Sequence, residues 1–135
     1  MSQTATVSAE LSQPDFQVTC RDDLGHQWLA DEPVDLGGGN TAATPDRLLL
    51  GSLGSCTAIT LMMVAKRKQI PLQAIQVNLS LNPRGKPEAG NDIERQISLT
   101  GELTEEHRVQ LLRAANACPV HKILTGEVRI ATNLL

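Results

Sequence analysis

The chain has 135 residues, the length of a single ordinary domain, and we predict one domain over residues 1–135. Hydrophobic residues make up 41% of the chain and charged residues 20%, which excludes a disordered or low-complexity protein. The 12 basic and 15 acidic residues give a net charge of −3, and one Phe and one Trp are the only aromatic residues. Because neither a phosphate-binding field nor a base-stacking surface is available, we exclude nucleic acid as a main partner.

The first third of the chain predicts short strands and a loop. Residues 1–15 contain neither a basic segment nor a long apolar run, so we expect no signal peptide and a cytoplasmic location. Apolar and polar residues alternate from Phe16 to Arg21, which predicts a strand with one buried face. A turn at Asp22–Gly25 and the segment His26–Asp31 complete a hairpin. Residues 31–44 are rich in glycine and are predicted to be a loop.

A long helix follows. Thr44 and Pro45 provide an N-cap and a first-turn proline, and the helix is predicted to run to about Lys68. Residues 48–65 are uncharged, which reaches the lower length limit of a transmembrane helix. However, this stretch contains glycine, serine, threonine and cysteine. We therefore predict the central helix of a soluble protein, buried on all sides, with no membrane contact.

The second half of the chain predicts further antiparallel strands and two shorter helices. Alternating apolar residues indicate strands over 75–81 and 93–99. Thr104 is predicted to cap a second helix, and a third helix begins at Cys118-Pro119 and ends at Gly126. Alternation over 128–134 predicts a final strand. The order β-β-(β)-α-β-β-α-α-β indicates an α+β fold, in which an antiparallel sheet packs on the long helix.

Three cysteines are the residues most able to provide chemistry. They are too few and too widely spaced for a disulfide framework or a zinc site, and the histidines lack metal-binding spacing, so no metal or cofactor is predicted. Cys20 alternates with polar residues on a strand, which favours core packing. Cys56 lies midway along the long helix, where either a packing role or a reactive role is open. Cys118 is a structural cap or a reactive thiol, since a helix N-terminus lowers a thiol pKa.

Two segments resemble a known family. The segments Thr44–Leu61, TPDRLLLGSLGSCTAITL, and Asn116–Leu124, NACPVHKIL, are similar to the two cysteine motifs of the OsmC/Ohr family (osmotically inducible protein C and organic hydroperoxide resistance protein). The segment Gly25–Pro33, GHQWLADEP, is similar to the OsmC-like branch. The resemblance implies an intertwined homodimer with two active sites at the subunit interface. It also implies thiol-dependent reduction of peroxides, organic hydroperoxides above all.

The resemblance also implies roles for single residues. Cys56 matches the peroxidatic cysteine and Cys118 the resolving cysteine, whose disulfide an external dithiol must reduce. Asp46 lies where the family has a carboxylate, and Arg21 is the nearest candidate for a thiol-activating arginine. Asp46 and Cys56 are ten residues apart on one helix, about 15 Å along its axis, so a shared site requires a bridging residue or a second chain. Two alternatives remain: a non-catalytic module that binds a hydrophobic small molecule, and a redox sensor.

Overall fold

The computed structural model describes residues 4–135, so the first three residues of the predicted domain and N-terminal segment lie outside it. The chain forms two compact units, which divide between Leu49 and Leu50. The first unit contains a three-stranded antiparallel sheet with the order β1-β2-β3. Its strands are β1 (Val7–Glu10), β2 (Val18–Asp22) and β3 (Gln27–Ala30). The predicted hairpin is therefore confirmed, while the assignment of residues 1–135 to one domain stays a prediction.

The predicted loop after β3 is closed by a buried carboxylate. The loop includes a short 3-10 helix, Val34–Leu36. Asp31, which is 3% exposed, accepts hydrogen bonds from the Thr41 hydroxyl (2.6 Å) and from the backbone N–H groups of Glu32 (2.8 Å) and Thr41 (3.1 Å). The Thr41 hydroxyl and then these backbone donors lower the pKa of Asp31 to about 2. An ionised carboxylate thus ties both ends of the loop together.

The long helix α1 spans Pro45–Lys68, as the sequence predicts. It begins where the Thr44 carbonyl accepts the Leu48 N–H (3.0 Å). Its burial differs from the prediction: Ile59 is 55% and Met63 66% exposed, so burial on all sides is wrong for the single chain. The buried residues form one face, namely Leu53, Gly54, Thr57, Leu61 and Ala65. By length and composition alone, α1 is also long and apolar enough to cross a membrane.

The second unit packs a two-stranded hairpin and α2 around the buried face of α1. Strand β4 (Leu72–Leu81) pairs antiparallel with β5 (Ile93–Gly101), and helix α2 spans Glu105–Ala115. Thr104 caps α2 as predicted, because its hydroxyl accepts the His107 N–H while the His107 ring accepts the Thr104 N–H. The core consists of residues from α1, β4, α2 and the α1–β4 connection, namely Leu61, Ala65, Ile70, Leu72, Leu111 and Ala115.

The chain ends in helix α3 (Pro119–Thr125) and an extended segment. The predicted final strand over 128–134 is wrong for the single chain, because residues 127–135 form no strand within the described part of the chain. Val128 is 57% and Ile130 85% exposed. An alternating sequence becomes a strand only when a neighbouring strand shares its backbone hydrogen bonds, and none of the strands found in residues 4–135 pairs with this segment.

Candidate active site

Three parts of the second unit place the predicted cysteines together. Helix α1 provides Cys56, and the connection from α2 to α3 provides Cys118. Gly54, two residues before Cys56 in the middle of α1, lies against β4: a Cβ added there would be 2.8 Å from Leu79 Cδ1. The missing side chain lets the β4–β5 hairpin approach the face of α1 that carries Thr57, to which Arg95 of β5 donates. The hairpin in turn provides the third part of the site.

Cys118 is the N-cap of α3, as the sequence predicts. Its backbone is extended (φ −66°, ψ 147°), and Pro119 occupies the first helical position. The backbone N–H of His121 donates to Cys118 Sγ at 3.3 Å. The side chain is completely buried, with 0% exposure. The sulfur therefore faces the positive end of a helix in a site that water does not reach.

The surroundings of Cys118 favour its thiolate. Burial raises the pKa of Cys118, but hydrogen bonds from the His121 N–H, Cys56 and Thr57, together with the positive charge of Arg95, bring this pKa below its usual value. Cys56 is half-buried and is one of these hydrogen-bond partners. The structure therefore brings Cys56 and Cys118 together, although 62 residues separate them in sequence.

Arg95 on β5 is a functional candidate that sequence reasoning missed. Its Nη1 donates to Thr57 Oγ1 (3.0 Å), and its Nη2 donates to Asn116 Oδ1 (3.0 Å) and to His121 Nδ1 (3.1 Å). Because a guanidinium only donates, His121 must accept at Nδ1, which assigns the proton of its neutral ring to Nε2. The sequence did contain a sign of this role. Arg95 lies two residues after Ile93 and two before Ile97, so it shares the apolar face of the strand with them.

Thr57 connects Arg95 to α1. It is 0% exposed, and its hydroxyl donates to the Leu53 carbonyl at 2.7 Å while accepting from Arg95. The hydroxyl has one proton and lies within hydrogen-bonding reach of Cys118 as well. Thr57 can therefore turn this proton either to its own helix or to the sulfur.

A cavity of about 430 Å³ opens beside this cluster. One part of its wall is polar and includes Arg95, Asn116 and His121. The rest is mainly apolar, with Leu53, Ile93, Ile97, Leu112 and Leu124. This space suits a small molecule with an apolar body and a polar reacting group. Among residues 4–135, no group of three or more metal-binding side chains is present.

The other predicted residues lie in the first unit. Arg21 donates from Nε to Gln27 Oε1 (3.1 Å) and pairs with Glu10. Asp46 accepts hydrogen bonds from the Thr44 hydroxyl and the Arg47 N–H, and the Thr44 hydroxyl is the main cause that lowers the Asp46 pKa. The activation of the thiol by Arg21 and Asp46 stays a prediction.

Cys20 lies on β2, where the sequence analysis expects a packing role. The residue is half-buried, and its register partner on β3 is Trp28. Of the three cysteines, Cys56 and Cys118 are the two that the structure joins in one cluster.

Comparisons with known proteins identify solved structures of similar fold. Solved structures of similar fold include an OsmC like protein from Mycoplasma pneumoniae, which has 21% identity and a TM-score of 0.77 and covers 93% of this chain and 90% of its own. An organic hydroperoxide resistance protein OsmC from Legionella pneumophila has 20% identity and a TM-score of 0.68, with 92% and 90% covered. An organic hydroperoxide resistance protein from Elizabethkingia anophelis has 21% identity and a TM-score of 0.68, with 93% and 91% covered.

At these identities the solved structures establish the fold. No curated protein matches the chain at a significant level. The family described as OsmC-like protein matches residues 37–133, which include both clustered cysteines and most of the chain. The resemblance of the two cysteine motifs is thereby confirmed, and the chain belongs to the OsmC-like protein family.

Proposed function

We propose that this protein is a cytoplasmic, homodimeric, thiol-dependent peroxidase that reduces organic hydroperoxides. The observation that supports this most strongly is that Cys56 lies beside Cys118. Burial raises the pKa of Cys118, but its hydrogen-bond donors and the charge of Arg95 together bring this pKa below its usual value. Two adjacent thiols, one of which ionises readily to a thiolate, are sufficient to reduce a peroxide and then form a disulfide. The partly apolar cavity beside them supports an organic substrate.

The reaction would proceed in two steps on the protein. Cys56 transfers its proton to the neighbouring Cys118 thiolate and attacks the terminal peroxide oxygen. The O–O bond breaks, and the leaving alkoxide takes that proton from Cys118 and departs as alcohol, which restores the Cys118 thiolate. Cys56 is thereby oxidised to a sulfenic acid. The Cys118 thiolate then attacks the sulfur of Cys56, and the hydroxyl group leaves with a proton as water. The product is a Cys56–Cys118 disulfide, which an external dithiol reduces by two exchanges.

A single-turnover titration of the wild type and two cysteine variants tests this mechanism. We expect Cys56→Ser to consume no peroxide, because a serine hydroxyl is neither ionised nor soft enough to attack an O–O bond. Cys118→Ser should consume about one equivalent and then stop with Cys56 oxidised as sulfenic or higher acid. The wild type should form the disulfide. Intact-mass spectrometry distinguishes these products, and Cys20→Ser is the matched control.

Wild-type activity in Cys56→Ser would contradict the proposal that the protein is a thiol-dependent peroxidase. If the two variants exchanged their behaviour, the reaction class would stand and the roles of the cysteines would be reversed. Comparing hydrogen peroxide with a bulky alkyl hydroperoxide tests the substrate class, since an apolar cavity favours the bulkier compound.

The cavity also favours a second candidate function. It offers apolar walls beside a polar patch, which suits a non-catalytic module that binds a hydrophobic small molecule. Binding of such a molecule by calorimetry, without consumption of any peroxide in the presence of dithiol, would favour this candidate over the enzyme.

A further inference from the structure

We infer that Arg95 is a positioning residue that holds Cys118 as a thiolate, acting both through its charge and through the Thr57 hydroxyl. This inference rests on the proposed function, because it assigns the group that prepares the second thiol for its attack. Arg95 was not among the residues that the sequence motifs indicate.

The first argument is the balance of charge around Arg95. Its guanidinium is half-buried, and its three hydrogen-bond acceptors, Thr57, Asn116 and the His121 ring, are neutral. The neighbouring carboxylate, Glu94, points to the other face of β5 and pairs with Arg84. Within residues 4–135, no carboxylate oxygen lies within 4.0 Å of the Arg95 guanidinium. Because no carboxylate neutralises it, the positive charge of Arg95 remains available to the nearby Cys118 sulfur.

The second argument is how firmly Arg95 is held. Asn116 and His121 both bond to Nη2, and they flank Cys118 in the connection to α3 and in α3 itself. The same short stretch of backbone therefore fixes the cation and the sulfur relative to each other. Asn116 accepts with its amide oxygen and His121 with Nδ1, so neither competes with the thiolate for the charge as a carboxylate would.

The third argument is the role of Thr57. By donating to Thr57 Oγ1, Arg95 occupies one lone pair of that oxygen and restricts the directions open to the hydroxyl proton. The proton has two acceptors, the Leu53 carbonyl and the Cys118 sulfur. When the sulfur is charged it becomes the stronger acceptor, so the hydroxyl is expected to turn towards it. The titratable and charged groups that act on Cys118 are Cys56 on α1 and Arg95 on β5, while His121 on α3 contributes its backbone N–H and contacts Arg95 with its ring.

The test measures the ionisation of Cys118 directly. In a Cys20→Ser, Cys56→Ser background, Cys118 is the only thiol, and the thiolate absorbance near 240 nm reports its titration without a reagent that must reach a buried sulfur. We expect Arg95→Gln to raise the midpoint by about one pH unit, since an opposite charge nearby lowers a thiol pKa by that amount or more. Arg95→Lys should raise it less, because the charge remains while the fork of hydrogen bonds is lost. Thr57→Val should raise it and Thr57→Ser should restore it.

Two controls keep the result decisive. Arg84→Gln removes an arginine of the same hairpin that pairs with Glu94, and it should leave the midpoint unchanged. Circular dichroism confirms that each variant is folded, and if Arg95→Gln fails to fold, Arg95→Lys and Thr57→Val decide. Unchanged midpoints in the folded Arg95 and Thr57 variants would overturn the inference. Because no peroxide is used, the titration can succeed even if the peroxidase proposal fails, and the reverse is equally observable.

Discussion

At the scale of single residues, Asp31 in the loop 31–44 should make the stability of the fold depend on pH. Its pKa of about 2 lies below the ordinary value of 3.8, mainly because the Thr41 hydroxyl donates to it. A carboxyl whose pKa is lowered by folding stabilises the fold at pH values above its unfolded pKa, and this contribution is lost as the pH falls through the folded pKa. The contribution of Asp31 is therefore present above about pH 4 and disappears between pH 4 and 2.

We expect Asp31→Asn to be less stable than the wild type at pH 7 and to lose less stability between pH 4 and 2. The amide keeps one acceptor oxygen but turns an NH₂ group towards backbone donors. Urea denaturation at pH 7, 4, 3 and 2 measures the effect. Asp35→Asn, in the same loop but exposed, is the control. A parallel decline of wild type and Asp31→Asn would show that Asp31 does not contribute.

The residues of the candidate site differ in how far the sequence could predict them. Cys118 was predictable as a cap, because a polar or sulfur side chain before Pro119 is a local signal of a helix start. The contact of Cys56 with Cys118 came only from the family resemblance, since nothing local links residues so distant in sequence. The role of Arg95 depends on how β5 packs next to α1 and α3, and the sequence pattern alone does not define this packing. Its one local sign was a charge on the apolar face of a strand.

At the scale of elements, the end of β5 requires a glycine at position 101. Its φ of +148° is disfavoured for other residues, and a Cβ there would lie 2.2 Å from the Pro71 carbonyl oxygen. Gly85, in the β4–β5 connection, has a φ of +92° but open space around its Cα. The two positions separate backbone strain from a steric clash with the chain.

We expect Gly101→Ala to lower the free energy of unfolding by about 2 kcal/mol more than Gly85→Ala does, because only the first substitution adds a clash with backbone to the strain of a positive φ. Urea denaturation of both variants at one protein concentration provides the comparison. Equal losses would mean that the backbone around Pro71 moves away at little cost.

The elements themselves were largely predictable. Helix α1 has strong local signals at both ends, and its observed range Pro45–Lys68 matches the prediction. The prediction that α1 is buried on all sides was wrong for the single chain. The apolar composition of a helix does not indicate which of its faces are covered by the same chain. The segment 128–134 failed for a related reason: alternation is a local pattern, while a strand needs a partner elsewhere.

At the scale of the whole molecule, the exposed apolar residues support the proposed dimer. Ile59 and Met63 on α1, Leu112 on α2 and Ile130 near the C-terminus are all more than half exposed. Large apolar side chains exposed in several elements are typical of a surface that another chain covers. We expect light scattering at micromolar concentration to give twice the mass of the chain.

A charge in the exposed apolar face of α1 should weaken this assembly. We expect Met63→Lys to raise the dissociation constant of the dimer at least about tenfold, equivalent to ~1.4 kcal/mol. Gln76→Lys, on an exposed position of β4, should leave it unchanged. Sedimentation over a range of concentrations measures both variants. A wild-type protein that is monomeric at micromolar concentration would refute the dimer.

The position of Cys118 at the start of α3 links the redox state of the protein to local order. α3 has seven residues, none of them buried, so the sulfur that accepts the His121 N–H is a large part of what holds its first turn. In a disulfide this sulfur is neutral and a much weaker acceptor than a thiolate. Oxidation should therefore uncap α3, and the His121 amide should exchange its hydrogen faster in the disulfide form than in the reduced form. Each turnover of the proposed peroxidase would then transiently reduce the order of α3.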